Sequence, residues 1–186
     1  MSDPLEARIA ALEAELRRLA ARVEALSAWE AARAPILARH AEPPAAAALP
    51  AEAVLEAAEF LSFGDGFHTL ETLPDGTPCR WTGASARATF WVDRSRPLQL
   101  AAEVVSRGRL PPEAAPILEV EGLRLPLLRE GEGRRHRAGP IPPRPGTGPT
   151  EIALHIPHPF RPSDYGEADR RLLGIQIARL SLGPLP

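Results

Sequence analysis

The sequence predicts a mainly β protein: an antiparallel β-sandwich head, jelly-roll-like, on an N-terminal α-helical coiled-coil stalk. Three observations predict it. Leu5, Ile9, Leu12, Leu16, Leu19, Val23 and Leu26 recur at alternating steps of four and three residues, the a/d seam of a coiled coil. From Gly66 onward the apolar period changes to two, over six or more short runs rich in β-formers. No amphipathic helix separates those runs, which argues antiparallel pairing rather than βαβ crossovers.

The stalk comes first, over residues 1–34. Pro4 suits a first helical turn, where its missing N–H costs nothing. Ile9, Leu16 and Val23 take a, and the four Leu take d. A single helix cannot bury this stripe, so the chain is expected to be an oligomer. At ~1.5 Å per residue the stalk is about 35–45 Å long. β-Branched a residues with Leu at d favour a parallel dimer. The run from Arg8 through Ile9 and Leu12 to Glu13 is similar to the Arg-h-x-x-h-Glu signature of short trimeric coiled coils. There the Arg stem covers the seam and its guanidinium pairs with the Glu. A homotrimer is the first expectation, a dimer the second, and a single helix folded back on its own domain the third.

Pro35 ends or kinks the helix, and the Pro/Ala-rich stretch 35–50 reads as a linker. Val54, Leu55, Ala58 and Leu61 space an apolar face, predicting a short helix over 51–63 that packs on the head. Residues 64–186 form the sandwich. Its strands are expected at 86–92, 98–105, 117–120, 123–125 with 127–128, 151–156 and 173–182. Turn signals separate them at Pro74-Asp75-Gly76, at 93–97, at Glu121-Gly122 and over the Gly/Pro-rich stretch 131–149. That last stretch is expected to be an exposed loop and not a central strand, either a binding loop or a bare connection.

Composition narrows the function. The 186 residues carry a formal net charge of −2, with no Lys and no Asn. Non-specific nucleic-acid binding needs a clustered positive field, and this balance argues against it. The one basic cluster, Arg134-Arg135-His136-Arg137, reads as a solvated loop. Cys79 is the only cysteine, which excludes an intrachain disulfide and a Cys-based zinc site. No run approaches the ~20 apolar residues of a membrane span. Asp3 and Glu6 stand where a signal peptide would begin. The expectation is a chain made in the cytoplasm without a signal peptide, with the cell surface or a phage-like particle open as destinations.

Catalytic motifs are missing. There is no Gly-x-Ser-x-Gly, no phosphate-cradling loop and no His-Glu-x-x-His. Asp164 and Asp169 are a formal carboxylate pair for a polysaccharide hydrolase, but no cleft can be read around them. His155 and His158 are three apart, on opposite faces of a strand, and Pro157 interrupts any helix. No metal and no cofactor is expected.

Four segments carry a resemblance: Gly66-Phe67-His68, Arg80-Trp81-Thr82-Gly83, 159–164 (Pro-Phe-Arg-Pro-Ser-Asp) and 169–175 (Asp-Arg-Arg-Leu-Leu-Gly-Ile). Together they make residues 63–184 resemble a bacterial β-sandwich module of cell-surface polysaccharide proteins, often found beside glycosyltransferase or methyltransferase domains. Phe67 stands where that module usually has Trp, and no transferase domain accompanies it here. The resemblance implies a carbohydrate-related, non-catalytic module. Independently, sugar sites on β-sandwiches combine an aromatic face with planar hydrogen-bonding side chains. His68, Arg80, Trp81, Asp164, Tyr165 and Arg170 are the right types near expected strand ends. Each also has a structural reading: Trp81 and Trp91 as core, Asp169 with Arg170 as a salt bridge locking the last strand, Tyr165 as a corner residue. The expected function is multivalent recognition of a glycan or surface polysaccharide. A fibre- or scaffold-like module binding a protein partner is the alternative.

Overall fold

The computed structural model describes residues 48–60, 65–146 and 148–185. The expected seam from Leu5 to Leu26, with Arg8 and Glu13, lies outside the described residues, as does most of the 35–50 linker.

The described residues form eleven strands: β1 (Ala53–Glu56), β2 (Glu71–Thr72), β3 (Pro78–Trp81), β4 (Ser85–Phe90), β5 (Leu98–Ser106), β6 (Ile117–Val120), β7 (Leu123–Pro126), β8 (Leu128–Arg129), β9 (Arg135–Ile141), β10 (Thr150–His155) and β11 (Gln176–Pro184). The larger sheet runs β2-β3-β11-β5-β9-β8, and β1 also pairs with β11. β1 and β3 share one edge of β11, β1 against residues 179–182 and β3 against 176–177. The smaller sheet runs β4-β10-β6-β7. Every pairing is antiparallel. The chain crosses between sheets from β3 to β4 to β5 to β6, and again from β7 through β9 and β10 to β11. With β3-β11-β5-β9 facing β4-β10-β6-β7, this is jelly-roll winding.

Alternation builds the core. Leu98, Leu100, Ala102 and Val104 of β5 and Leu180 and Leu182 of β11 join one buried cluster with Phe90, Leu118, Val120, Ile152 and Leu154 of the smaller sheet. Each large apolar side chain fully buried here contributes roughly 1.5–3 kcal/mol. Between β6 and β7, Glu121 and Gly122 both take positive φ, 51° and 81°, the two-residue turn that matches strand twist. Glu121 also receives the guanidinium of Arg94, which is 2% exposed and additionally donates to the Pro142 carbonyl at 2.7 Å. That one side chain ties three inter-strand connections together.

Two expectations are corrected. The helix expected over 51–63 is instead strand β1, followed by a single 3-10 turn at Ala57–Glu59. Ala, Leu and Glu are good helix formers, but 53–57 also alternates: Ala53 and Leu55 pack on the core while Val54 faces out. Pairing with the free edge of β11 satisfies the backbone and overrides the propensity. The stretch 131–149 is not a bare loop, because β9 lies inside it, between β5 and β8. Gly139-Pro140 does not break the strand because it sits in a bulge. Leu98 pairs with Ile141 and Leu100 with Ala138, so two residues oppose Gln99 alone. A proline without an N–H is tolerated there.

His136 is the consequence of that correction. It points inward from β9 and is 4% exposed. Its Nδ1 donates to the Arg134 carbonyl at 3.0 Å. Burial, with the charges of Arg107 and Arg129, pushes its pKa below the usual histidine value. The unfolded chain therefore binds a proton that the folded one refuses. Stability is full above the unfolded value near 6.5 and falls as pH drops from there toward the lowered folded value. The melting temperature of wild type is expected to fall between pH 7.5 and 5, and that of His136→Gln to fall less. Equal slopes for the two would contradict this.

Candidate functional site

The resemblance motifs converge at one end of the sandwich, where most of their side chains are used up internally. Phe67 bridges to Thr82 and Phe160 to Leu173. Thr82, fully buried, is the hub. Its N–H donates to the Ile175 carbonyl at 2.8 Å, its carbonyl accepts from Gly174 N–H at 2.7 Å, and its Oγ1 accepts from Ile175 N–H at 3.0 Å. Glycine is required twice in this knot. A Cβ on Gly66 (φ 79°) would lie 1.9 Å from the Ser85 carbonyl oxygen, and one on Gly174 would lie 2.4 Å from Thr82 Oγ1. Thr82→Val keeps the volume but leaves the Ile175 N–H buried without a partner. It is expected to lower the unfolding free energy by about 1–3 kcal/mol, read from the urea midpoint. An unchanged midpoint would contradict the hub role.

Three of the six expected ligand residues sit in this knot. Arg80 is buried, donating from Nε to the Ala57 carbonyl at 2.7 Å and from Nη1 to the His68 carbonyl at 2.8 Å. It holds backbone and does not face solvent, which corrects its assignment to ligand. Trp81 is half-buried and packs edge-on against Phe160, centroids 5.9 Å apart. His68 Nε2 lies 2.9 Å from the Leu172 carbonyl, and because a carbonyl only accepts, Nε2 carries the proton. The salt bridge expected between Asp169 and Arg170 forms with Arg171 instead. Arg171 Nη2 lies 2.7 Å from Asp169 Oδ2 and 2.8 Å from Glu71 Oε1. Hydrogen bonds from Arg171 hold the Asp169 carboxyl below its usual range. The loop is thereby tied to β2. The Arg170 carbonyl accepts from Arg161 Nη1 at 2.7 Å.

Asp164, Tyr165 and Arg170 remain exposed on this loop. Tyr165 ends a short 3-10 turn, Pro162–Tyr165, and is 56% exposed. The Arg109 guanidinium carbon lies 3.6 Å from its ring centroid. This guanidinium–aromatic stack is a planar platform. His155, the other histidine in question, faces outward with Nε2 3.3 Å from Glu119 Oε2.

A second feature is a concavity on the outer face of the larger sheet. Strand register lines up Glu56, Arg179, Glu103 and Arg135 in one row across β1, β11, β5 and β9. The charges alternate in sign along it. Arg179 Nε donates to Glu56 Oε1 at 2.8 Å. The adjacent row is small: Val54, Ser181 and Ala101 are neighbours in register. Beyond it Glu52 lies over Gly183, where a Cβ would come within 2.9 Å of its Cγ. Short side chains between long planar ones make a trench of about 350 Å³ across the strands, with Glu52, Glu103, Arg135 and Arg179 on its walls. Its carboxylates accept hydrogen bonds only and its guanidiniums donate only, in fixed planes. Vicinal hydroxyls, which do both, match such walls.

No protein-family model matches this chain, and no curated protein matches it. Among the solved structures similar to it are two that follow. One is CsCBM6-3 from Clostridium stercorarium, in complex with cellobiose, at 12% identity and a TM-score of 0.41, covering 75% of this chain and 99% of that one. The other is the CBM36-1 domain of a multidomain xylanase from the hindgut metagenome of Trinervitermes trinervoides, at 15% identity and a TM-score of 0.40, covering 73% of this chain and 98% of that one.

The trench residues were invisible as a group in the sequence. Glu103, Arg179 and Ser181 are the polar alternates of two expected strands, and only register shows that they are neighbours. Val54 and Glu52 lie in the segment whose spacing predicts a helix, and a helix there would leave the row without its fourth strand.

Proposed function

We propose that the described domain is a non-catalytic carbohydrate-binding head, that a sugar chain lies in the trench across β1, β11 and β5, and that the N-terminal heptads gather two or three such heads. One observation carries the reading: a floor of Val54, Ser181 and Ala101 set between opposed planar donors and acceptors. The floor offers apolar and small contacts to the C–H faces of a pyranose ring. Glu103, Arg135, Arg179 and Glu52 reach its hydroxyls. The walls carry both signs, which suits a neutral sugar. The trench is open to water, so a single head is expected to bind weakly, and gathering heads multiplies the effect.

A second place for the sugar is favoured by the exposed Tyr165 ring stacked on Arg109, with Asp164 and Arg170 on the same loop. The test is a glycan array, followed by calorimetry of the full chain with the best oligosaccharide. Ser181→Tyr fills the trench, and Tyr165→Ala removes the platform. Loss with the first and retention with the second supports the trench. The reverse moves the site to the loop end. Binding to no glycan contradicts both and leaves the protein-scaffold role.

A further inference from the structure

The basic run Arg134-Arg135-His136-Arg137 takes no part in the knot, and only Arg134 and Arg135 reach the trench. Its other side opens on a separate cavity of about 230 Å³ between β5 and the turn joining β8 to β9. Arg107, Arg129, Arg134, His136 and Glu132 line it, together with Val104 and Ser106. The lining holds three guanidiniums and one carboxylate, a formal balance of +3 − 1 = +2, on a chain whose net charge is −2.

What distinguishes this cavity is how its cations are held. Arg107 donates from Nη1 to the Pro112 carbonyl at 3.4 Å, and from Nη2 to those of Pro111 and Ala114 at 3.0 and 2.5 Å. Its Nε is buried with no partner. Arg129 donates from Nε to the Gly133 carbonyl at 3.0 Å and from Nη2 to the Glu132 carbonyl. All these acceptors are neutral. Among the described residues neither guanidinium faces a carboxylate at ion-pair distance. Backbone carbonyls fix where the two cations point without cancelling their charge. Arg134 is neutralised only in part, 3.5 Å from Asp75 Oδ2 with both side chains about half exposed. Oriented, uncompensated guanidiniums around a cavity are what recognition of a carboxylate, sulfate or phosphate group requires.

We propose that this cavity is an oxyanion site, in which Arg107 and Arg129, with Arg134, bind a carboxylate, sulfate or phosphate group. The group is either a free ion or a substituent on an acidic sugar. The site borders the trench at Arg134, which lines both, while Arg107 and Arg129 line this cavity alone.

Calorimetric titration of the full chain with sodium sulfate, against sodium chloride of matched ionic strength, tests it. A galacturonate oligosaccharide and a neutral oligosaccharide of equal length form two further arms. Saturable heat with sulfate, or with the galacturonate and not its neutral counterpart, is expected. The first outcome assigns the site to a free ion, the second to an acidic sugar. Arg129→Gln removes a charge from an exposed side chain and should weaken that binding at least tenfold. Glu132→Gln removes the one carboxylate of the lining and should tighten it. Ser181→Tyr should leave it unchanged, so that failure of the trench and failure of this site read separately. No saturable heat beyond the chloride control in any arm, or equal affinity in wild type and Arg129→Gln, would overturn the proposal.

Discussion

Replacing Leu12 and Leu19 by Gln is expected to yield single chains in solution and to cut binding to a glycan-coated surface by a factor of roughly 10²–10⁴. Both residues occupy d positions in the middle of a seam of only three heptads. Isolated helices of this length are marginal, so two polar residues in the stripe remove most of the apolar burial that associates them. Sedimentation velocity reads the subunit number and surface binding reads the avidity. The described head keeps its own core, built from β5 and β11 against β6 and β10. Its affinity for a soluble monovalent oligosaccharide should therefore not change. That invariance separates lost avidity from a damaged site. A variant that stays oligomeric, or one that dissociates yet binds the surface as tightly as wild type, contradicts the multivalent reading.

Filling the trench is expected to have the second large effect. Ser181 sits between Val54 and Ala101 in the small row and faces solvent. A tyrosine there needs no repacking of the interior, because its neighbours Leu180 and Leu182 point the other way, into the core. Affinity for the oligosaccharide should fall at least tenfold while the urea midpoint moves little. Arg179→Ala acts on the same wall with a smaller effect. Its pair with Glu56 is exposed on both sides, and such pairs contribute about 0–1 kcal/mol to stability. Any loss of affinity in that variant thus reports on ligand contact. Unchanged affinity in Ser181→Tyr would place the sugar elsewhere.

The strands that read plainly in the sequence are those whose apolar residues alternate strongly and whose ends carry turn residues. β5 with Leu98, Leu100 and Val104 is one, and the β6–β7 hairpin around Glu121-Gly122 is another. β1 stayed hidden because Ala, Glu and Leu satisfy helical and extended patterns alike, and the edge of β11 that decides between them is remote in sequence. β9 stayed hidden because Gly139-Pro140 looks like a breaker until a bulge absorbs it. The site divides along the same physical line. Tyr165, Asp164 and Arg170 are legible by residue type and stand exposed together on one loop. Arg80 is also legible by type, yet its guanidinium closes on the Ala57 and His68 carbonyls. Whether an arginine faces water or backbone is set by tertiary contacts that spacing does not encode. The trench depends on the register of four strands, and no local pattern carries register between segments as remote as Val54 and Ser181.

The most direct measurement is a two-dimensional amide NMR titration of the full chain with the oligosaccharide that binds best. Binding in the trench predicts progressive, saturable shifts at Val54, Ala101, Glu103, Arg179 and Ser181, with Tyr165 and the smaller sheet unmoved. Shifts gathered around Tyr165 and Arg109, or none at saturating sugar, would contradict it.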